Sequence, residues 1–124
     1  MAQPTQLGSI GHKGEQLAVK YLANKGFTVV DTNVAYKFGE IDVVAVKDDK
    51  YHFIEVKALS VQSKFAVALS ERIGKQKLDR IKKSVQQYIV DNDLFNKEVQ
   101  IDAMLVKINE QIKQARIKFI QNIS

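Results

Sequence analysis

The sequence predicts an α/β fold, a central mixed sheet flanked by helices, with its elements in the order αβββαββ. Three observations predict it. Two segments carry apolar residues at helical spacing, five short segments are rich in β-branched and aromatic residues, and one helix falls between the third and fourth strands. A helix in that place lets the fourth strand return parallel to the third.

Taken in order, Ile10, Gly14, Leu17, Ala18, Tyr21 and Leu22 recur at helical spacing after Ser9, whose hydroxyl suits an N-cap. Lys25 and Gly26 supply a basic last turn and a glycine stop. Residues 27–32 form a short strand. Residues 40–46 and 51–59 are two more, joined as a tight hairpin across Asp48, Asp49 and Lys50. Over residues 70–91, the apolar positions Ile73, Leu78, Ile81, Val85, Tyr88 and Ile89 define a second helix, and Asp91-Asn92-Asp93 stops it. Residues 99–108 and 113–123 close the order as two strands around Asn109-Glu110. There is no internal repeat and no linker, so residues 1–124 read as one domain.

Composition narrows the function classes. With 45% hydrophobic and 27% charged residues, six glycines and one proline, the chain belongs with globular proteins. It has no cysteine, which removes disulfides, thiol nucleophiles and cysteine-ligated metal sites and suits a reducing compartment. The longest unbroken apolar run is residues 65–69, far short of the roughly 20 that a membrane helix needs. Residues 1–10 lack a basic start and an apolar signal core, so a cytoplasmic location is the expectation.

The formal charge is +5, and its excess lies in the second half. Residues 1–60 carry seven groups of each sign, whereas residues 61–124 carry twelve basic and seven acidic ones. Lys64, Arg72, Lys75, Lys77, Arg80 and Lys83 concentrate along and before the second helix. Such a stripe is either a solvated face or a polyanion surface, since clustered lysine and arginine neutralise phosphates and release counterions. With sixteen lysines to three arginines, contact with a nucleic-acid backbone is favoured over bidentate reading of guanine.

The chemistry-bearing stretch is the hairpin. Asp42 is flanked by Ile41, Val43 and Val44, and Glu55 by Ile54 and Val56, so both carboxylates interrupt segments that read as buried. Strand side chains alternate, which puts Glu40 with Asp42 and Glu55 with Lys57. A two-residue turn at Asp48-Asp49 sets Asp42 opposite Glu55, one at Asp49-Lys50 sets it opposite Lys57, and a three-residue turn scatters the group. Carboxylates forced together repel, and a shared proton, a cation or a metal relieves them. Oxygen ligands suit Mg²⁺ or Mn²⁺, with Asp42 and Glu55 as metal ligands. A metal held so would serve phosphodiester hydrolysis, with the Lys57 ammonium orienting water or stabilising charge. The plainer alternative is a structural ion pair of Lys57 with one of the acids.

Gly14-Glu15, Gly26-Phe27, Asn33, Gly39-Glu40-Ile41-Asp42, Phe53-Ile54-Glu55-Val56-Lys57 and the later Lys77 together resemble the YraN-like family of bacterial proteins, over nearly the whole chain. That family resembles a minimal member of the PD-(D/E)XK, restriction-endonuclease-like superfamily and is similar in its core to archaeal Holliday junction resolvases. The resemblance implies a restriction-endonuclease-like αβββαββ core and Mg²⁺ as the cofactor. It implies Glu15 as the helix acid, Asp42 as the strand aspartate and Glu55 with Lys57 as the E-x-K pair, with Glu40 in support. Ala35 and Ala58 depart from the family pattern, which often has arginine or another polar residue there.

Lys77 places a charge in the apolar stripe of the second helix, either reaching the site or snorkelling past the core edge. His12 and His52 lack metal-ligand spacing, and His52 alternates away from Glu55, which reads as a surface or turn-adjacent position. Tyr88 continues an apolar stripe and reads as core, while Tyr36 and Phe38 are free to stack on bases. The expectation is a cytoplasmic, Mg²⁺-dependent endonuclease acting on DNA, on branched or structured DNA by analogy with resolvases, which would work as a homodimer. A non-catalytic nucleic-acid-binding or partner-binding module on the same fold is the competing reading, and an enzyme acting on RNA a third.

Overall fold

The computed structural model of the chain describes residues 9–61 and 73–124. Helix α1 (Ile10–Asn24) is followed by strands β1 (Thr28–Tyr36), β2 (Gly39–Lys47) and β3 (Lys50–Ser60), then helix α2 (Lys75–Asp91) and strands β4 (Glu98–Asn109) and β5 (Gln114–Ile120). The strands form one sheet in the order β1-β2-β3-β4-β5. All neighbours are antiparallel except β3 and β4, which run parallel from Lys50↔Glu98 to Ser60↔Ile108. This is the predicted αβββαββ order with its mixed sheet, and it is consistent with a restriction-endonuclease-like core.

The two helices cover opposite faces. Ser9 caps α1, its hydroxyl accepting from the His12 amide, and Gly26 ends the turn after the helix with a positive φ of 91°. Ala18 and Leu22 of α1 pack on Val43, Ala45, Ile54, Met104 and Val106. On the other face, Ile81, Val85 and Tyr88 of α2 pack on Val44, Phe53 and Ile101, with the Tyr88 ring edge-on to Phe53. Because both faces are dry, residues 41–45 of β2 and 101–106 of β4 are buried without a break. Gly14 is where α1 comes closest to the sheet: a Cβ there would overlap that of Ala58. The small Ala58 thus faces a helix that leaves no room for a larger side chain.

Three boundaries differ from the expectation. Strand β1 continues past Thr32 to Tyr36, which pairs with Gly39 across a two-residue turn. A register shift between Val29 and Asp31 and a positive φ of 52° at Asn33 break the alternation there, so the end of the strand is not written in its apolar pattern. Helix α2 begins at Lys75, because Gly74 is extended at φ −68° and ψ 161° and serves as its N-cap, with Ile73 before it; the expected start at Ser70 lies outside the described residues. Strand β5 stops at Ile120, after which the Ile123 amide bonds to the Ile101 carbonyl. Among the described residues no helix is long and apolar enough to cross a membrane.

Candidate active site

The β2–β3 turn decides which residues meet. Asp48 and Asp49 both have positive φ, 52° and 63°, and close a two-residue turn between Lys47 and Lys50. Of the three registers open from the sequence, this is the one that brings Asp42 opposite Glu55. The ladder itself ends one step earlier, at Val43↔Ile54. Beyond it the Val56 amide donates to Asp42 Oδ2 at 2.8 Å, a side chain standing in for a ladder partner. Val43 and Ala45 face α1, while Val44 and Ile41 both face α2, so the alternation of β2 breaks at Asp42.

That break lets one carboxylate serve two neighbourhoods. On one side, an oxygen each from Glu15, Glu40 and Asp42 lie within 4.8 Å of one another. On the other, Asp42 meets the carboxyl of Glu55; the two acids are 8% and 6% exposed. Burial pushes the Asp42 carboxyl up to about 8, the Glu55 and Glu15 charges add to this, and the bond from the Val56 amide opposes it. Burial and the acidic neighbours thus favour the protonated form of Asp42.

Glu55 has two cations. Lys77 Nζ lies 2.7 Å from Glu55 Oε2, so this lysine does reach the site from α2, and Lys57 Nζ lies 3.7 Å from the same oxygen. Burial lowers the Lys57 amine and the neighbouring Lys77 lowers it further. Burial also pulls on Lys77, but its bond to Glu55 and the surrounding charges outweigh it and hold Lys77 above its ordinary value. Among the described residues Glu15, Glu40 and Asp42 form no ion pair. A cavity of about 330 Å³, lined in part by His12, Thr32 and Asn33, opens beside Glu15 and Asp42.

Of the basic stripe, Lys75, Arg80 and Lys83 are exposed on α2, and Lys64 and Arg72 lie outside the described residues. A Cβ on Gly39 would stand 3.9 Å from that of Arg80, so the basic helix runs beside the strand start that carries Glu40. Tyr88 is core, as expected, and Tyr36 reaches Asp91 through its hydroxyl at 3.5 Å.

His52 corrects the sequence reading. It is 5% exposed, not at the surface, and its Nδ1 lies 2.7 Å from Asp102 Oδ2. The alternation away from Glu55 is real, but it leads to the α1 face, where the Phe27 ring stands edge-on at 4.9 Å. Asp102, fully buried on β4, also interrupts an apolar run, just as Asp42 does. That interruption was the available signal.

The model of the uncharacterised protein family UPF0102 matches residues 14–106, which span Glu15, Glu40, Asp42, Glu55, Lys57 and Lys77. The chain is 40% identical over 114 residues to a UPF0102 protein of Campylobacter fetus, 39% to one of Campylobacter lari and 36% to one of Campylobacter hominis, in each case covering 92% of both chains. By both measures the chain belongs to the UPF0102 family, the YraN family that its motifs resemble.

Proposed function

We propose that this protein is a divalent-metal-dependent endonuclease that hydrolyses DNA phosphodiesters, acting on branched or structured DNA. The observation that carries the reading is the meeting of Glu15, Glu40 and Asp42 within 4.8 Å, joined through Asp42 to Glu55. The donor set fits Mg²⁺ or Mn²⁺: all oxygen, drawn from two strands and a helix, beside a cavity with room for water and phosphate. Asp42 and Glu55 would hold the ion, with Glu15 and Glu40 completing or orienting the set. When bound, the metal supplies Lewis-acid polarisation of the phosphate and a more acidic water.

The chain's own groups do the rest. Lys57, whose amine sheds its proton more readily than a solvated lysine, sits beside Glu55 to orient or deprotonate the attacking water. Lys77 keeps its charge, holds Glu55 in place and offers an ammonium to the phosphate oxygens. Lys75, Arg80 and Lys83 would grip the backbone along α2, in a sequence-independent and salt-sensitive way. Cutting both strands of a junction needs two such sites, hence a pair of chains.

A panel of linear, single-stranded, flapped and four-way DNA and of RNA, incubated with Mg²⁺ or Mn²⁺, tests this. Asp42→Asn, Glu55→Gln and Lys57→Met should each lower cleavage by about 100-fold or more. Cleavage that persists in all three variants contradicts the reading. The Lys77–Glu55 pair favours one alternative, since it already answers the Glu55 charge without a metal. In that case the fold serves as a nucleic-acid-binding module, and the panel would give salt-dependent binding with no metal-dependent cleavage.

A further inference from the structure

At the far end of α1 from the acids, a cavity of about 600 Å³ opens between the helix end, the β2–β3 hairpin and β5. Glu15 lies in the second turn of α1 and Lys25 just past its end at Asn24, ten positions on and about 15 Å of helix rise away, so the two places are distinct. The size falls within the range of small-ligand pockets.

The lining is sorted by chemistry. Lys25, Lys47 and Lys50 are among the residues that line it, and the Lys25 ammonium lies 5.5 Å from the Tyr21 ring centre. Lys47 is already posed, donating to the Lys25 carbonyl at 2.8 Å with its ammonium 5.1 Å from the Phe27 ring centre. Phe27 and Phe119 form an apolar wall, edge to face at 5.9 Å. His52 also lines the cavity and is buried. Its Nδ1 is taken up by Asp102, whose other oxygen accepts from Gln100 Nε2 at 2.7 Å and from the Asn122 amide at 2.8 Å. Nε2 is then the ring atom left for a ligand. Asp48 and Glu98 also border the cavity, so the three lysines outnumber the acids by one and the cavity is no general polyanion sink.

From this lining we infer that the cavity is a second ligand site and takes a nucleoside 5′-phosphate, free or as the end of a strand. The phosphate would sit on Lys25, Lys47 and Lys50, where charge-assisted bonds are strong. The base would lie against Phe27 and Phe119 and meet the polar atoms of His52 and Gln100. Neither the acids around Asp42 nor a metal enters this site.

The experiment titrates the whole chain, with EDTA present so that the acidic site contributes nothing. Probes are deoxyadenosine 5′-phosphate, deoxyadenosine, inorganic phosphate and short oligonucleotides with a 5′-phosphate or a 5′-hydroxyl. Binding is read by calorimetry and by the histidine ring resonances in NMR. The nucleotide should bind, bind more tightly than nucleoside or phosphate alone, and shift the His52 ring signals. Lys47→Gln and Lys50→Gln should each weaken it by about tenfold, the share expected of one charge-assisted bond, while Asp42→Asn leaves it unchanged. Preference for the phosphorylated oligonucleotide over the free nucleotide supports a strand end as the natural occupant, and the reverse supports a free nucleotide. No binding at millimolar nucleotide, equal affinity for inorganic phosphate, or affinity insensitive to both lysines overturns the inference. Lys50 is half-buried and Lys47 exposed, so their variants fold even where a His52 variant does not.

Discussion

Asp42 and Asp102 are both buried aspartates, on the two strands that flank β3, and the fold treats them in opposite ways. Asp102 accepts from Gln100 Nε2 and the Asn122 amide on one oxygen and pairs with His52 on the other. Its neighbours are donors, and the cluster is closed. Asp42 has one main-chain donor, the Val56 amide, and then three acids: Glu15, Glu40 and Glu55. A buried carboxylate surrounded by donors is part of the scaffold, whereas one surrounded by carboxylates carries an unmet charge that only a proton or a cation relieves. The same residue type at similar burial thus marks a structural post at one place and a site at the other.

The largest test removes the post. Asp102→Ala removes the acceptor of the Asn122 amide, the partner of His52 Nδ1 and one of two acceptors of Gln100 Nε2, and should cost about 3–5 kcal/mol of stability by chemical denaturation. Asp42→Asn, which keeps an acceptor for the Val56 amide and removes one like charge, should cost nothing comparable. Equal losses in the two variants would break the comparison.

A second test moves one wall of the site. Glu15 is placed by α1, and α1 is seated by Gly14 against Ala58. Gly14→Ala must lift the helix, at about 1–3 kcal/mol, and carry Glu15 away from Asp42. Ala58→Gly in the same chain should restore most of the stability and, with it, the acid cluster. Failure of the second change to rescue the first would mean that the close approach does not set the position of the helix.

How much of this was legible in the sequence follows from the physics at each place. The element order was, because apolar periodicity and turn residues report directly on which faces are buried. The meeting of Asp42 with Glu55 was legible as one of three registers, and only the two positive-φ aspartates of the turn select it. What the strand pattern could not give is the break at Asp42, where Ile41 and Val44 turn to the same face; period-two reasoning assumes an unbroken strand. The reach of Lys77 to Glu55 was readable as an oddity, a charge in an apolar stripe, and its partner was fixed only by the packing of α2. His52 departs from its expected surface position because alternation gives the face and not its cover. The end of β1 escaped because a register shift and the positive φ of Asn33 leave no apolar signature.

The third test titrates the difference. Asp42 has a folded-state pKa of about 8, above the ordinary carboxylate value of about 4. A raised value means the folded chain binds the proton more tightly than the unfolded one. The stability this group contributes is therefore full below about pH 4 and is lost as the pH climbs through about 8. Metal-free protein should lose on the order of 1–3 kcal/mol across that window, and Asp42→Asn should flatten the profile. Thermal melts at half-unit pH intervals read it, and an equally steep profile in the variant would assign the slope to other groups.

The smallest effect is the most discriminating. If the proton on Asp42 occupies the place of a cation, metal and proton compete for the same oxygens, and metal affinity must rise with pH. Mg²⁺ at about ten times its dissociation constant should stabilise the chain by about 1.4 kcal/mol at pH 8, and by clearly less at pH 5, where the proton has to leave first. Asp42→Asn should abolish the gain, and Glu40→Gln should reduce it, since Glu40 is exposed and supplies one oxygen of the set. Conservative substitution at Asp102 offers the control: its oxygens are filled by donors and present nothing to a cation, so Asp102→Asn should keep the Mg²⁺ gain while lowering the starting stability. A Mg²⁺ gain that is independent of pH, or that survives Asp42→Asn, would place the ion elsewhere and leave the crowded acids without their cation.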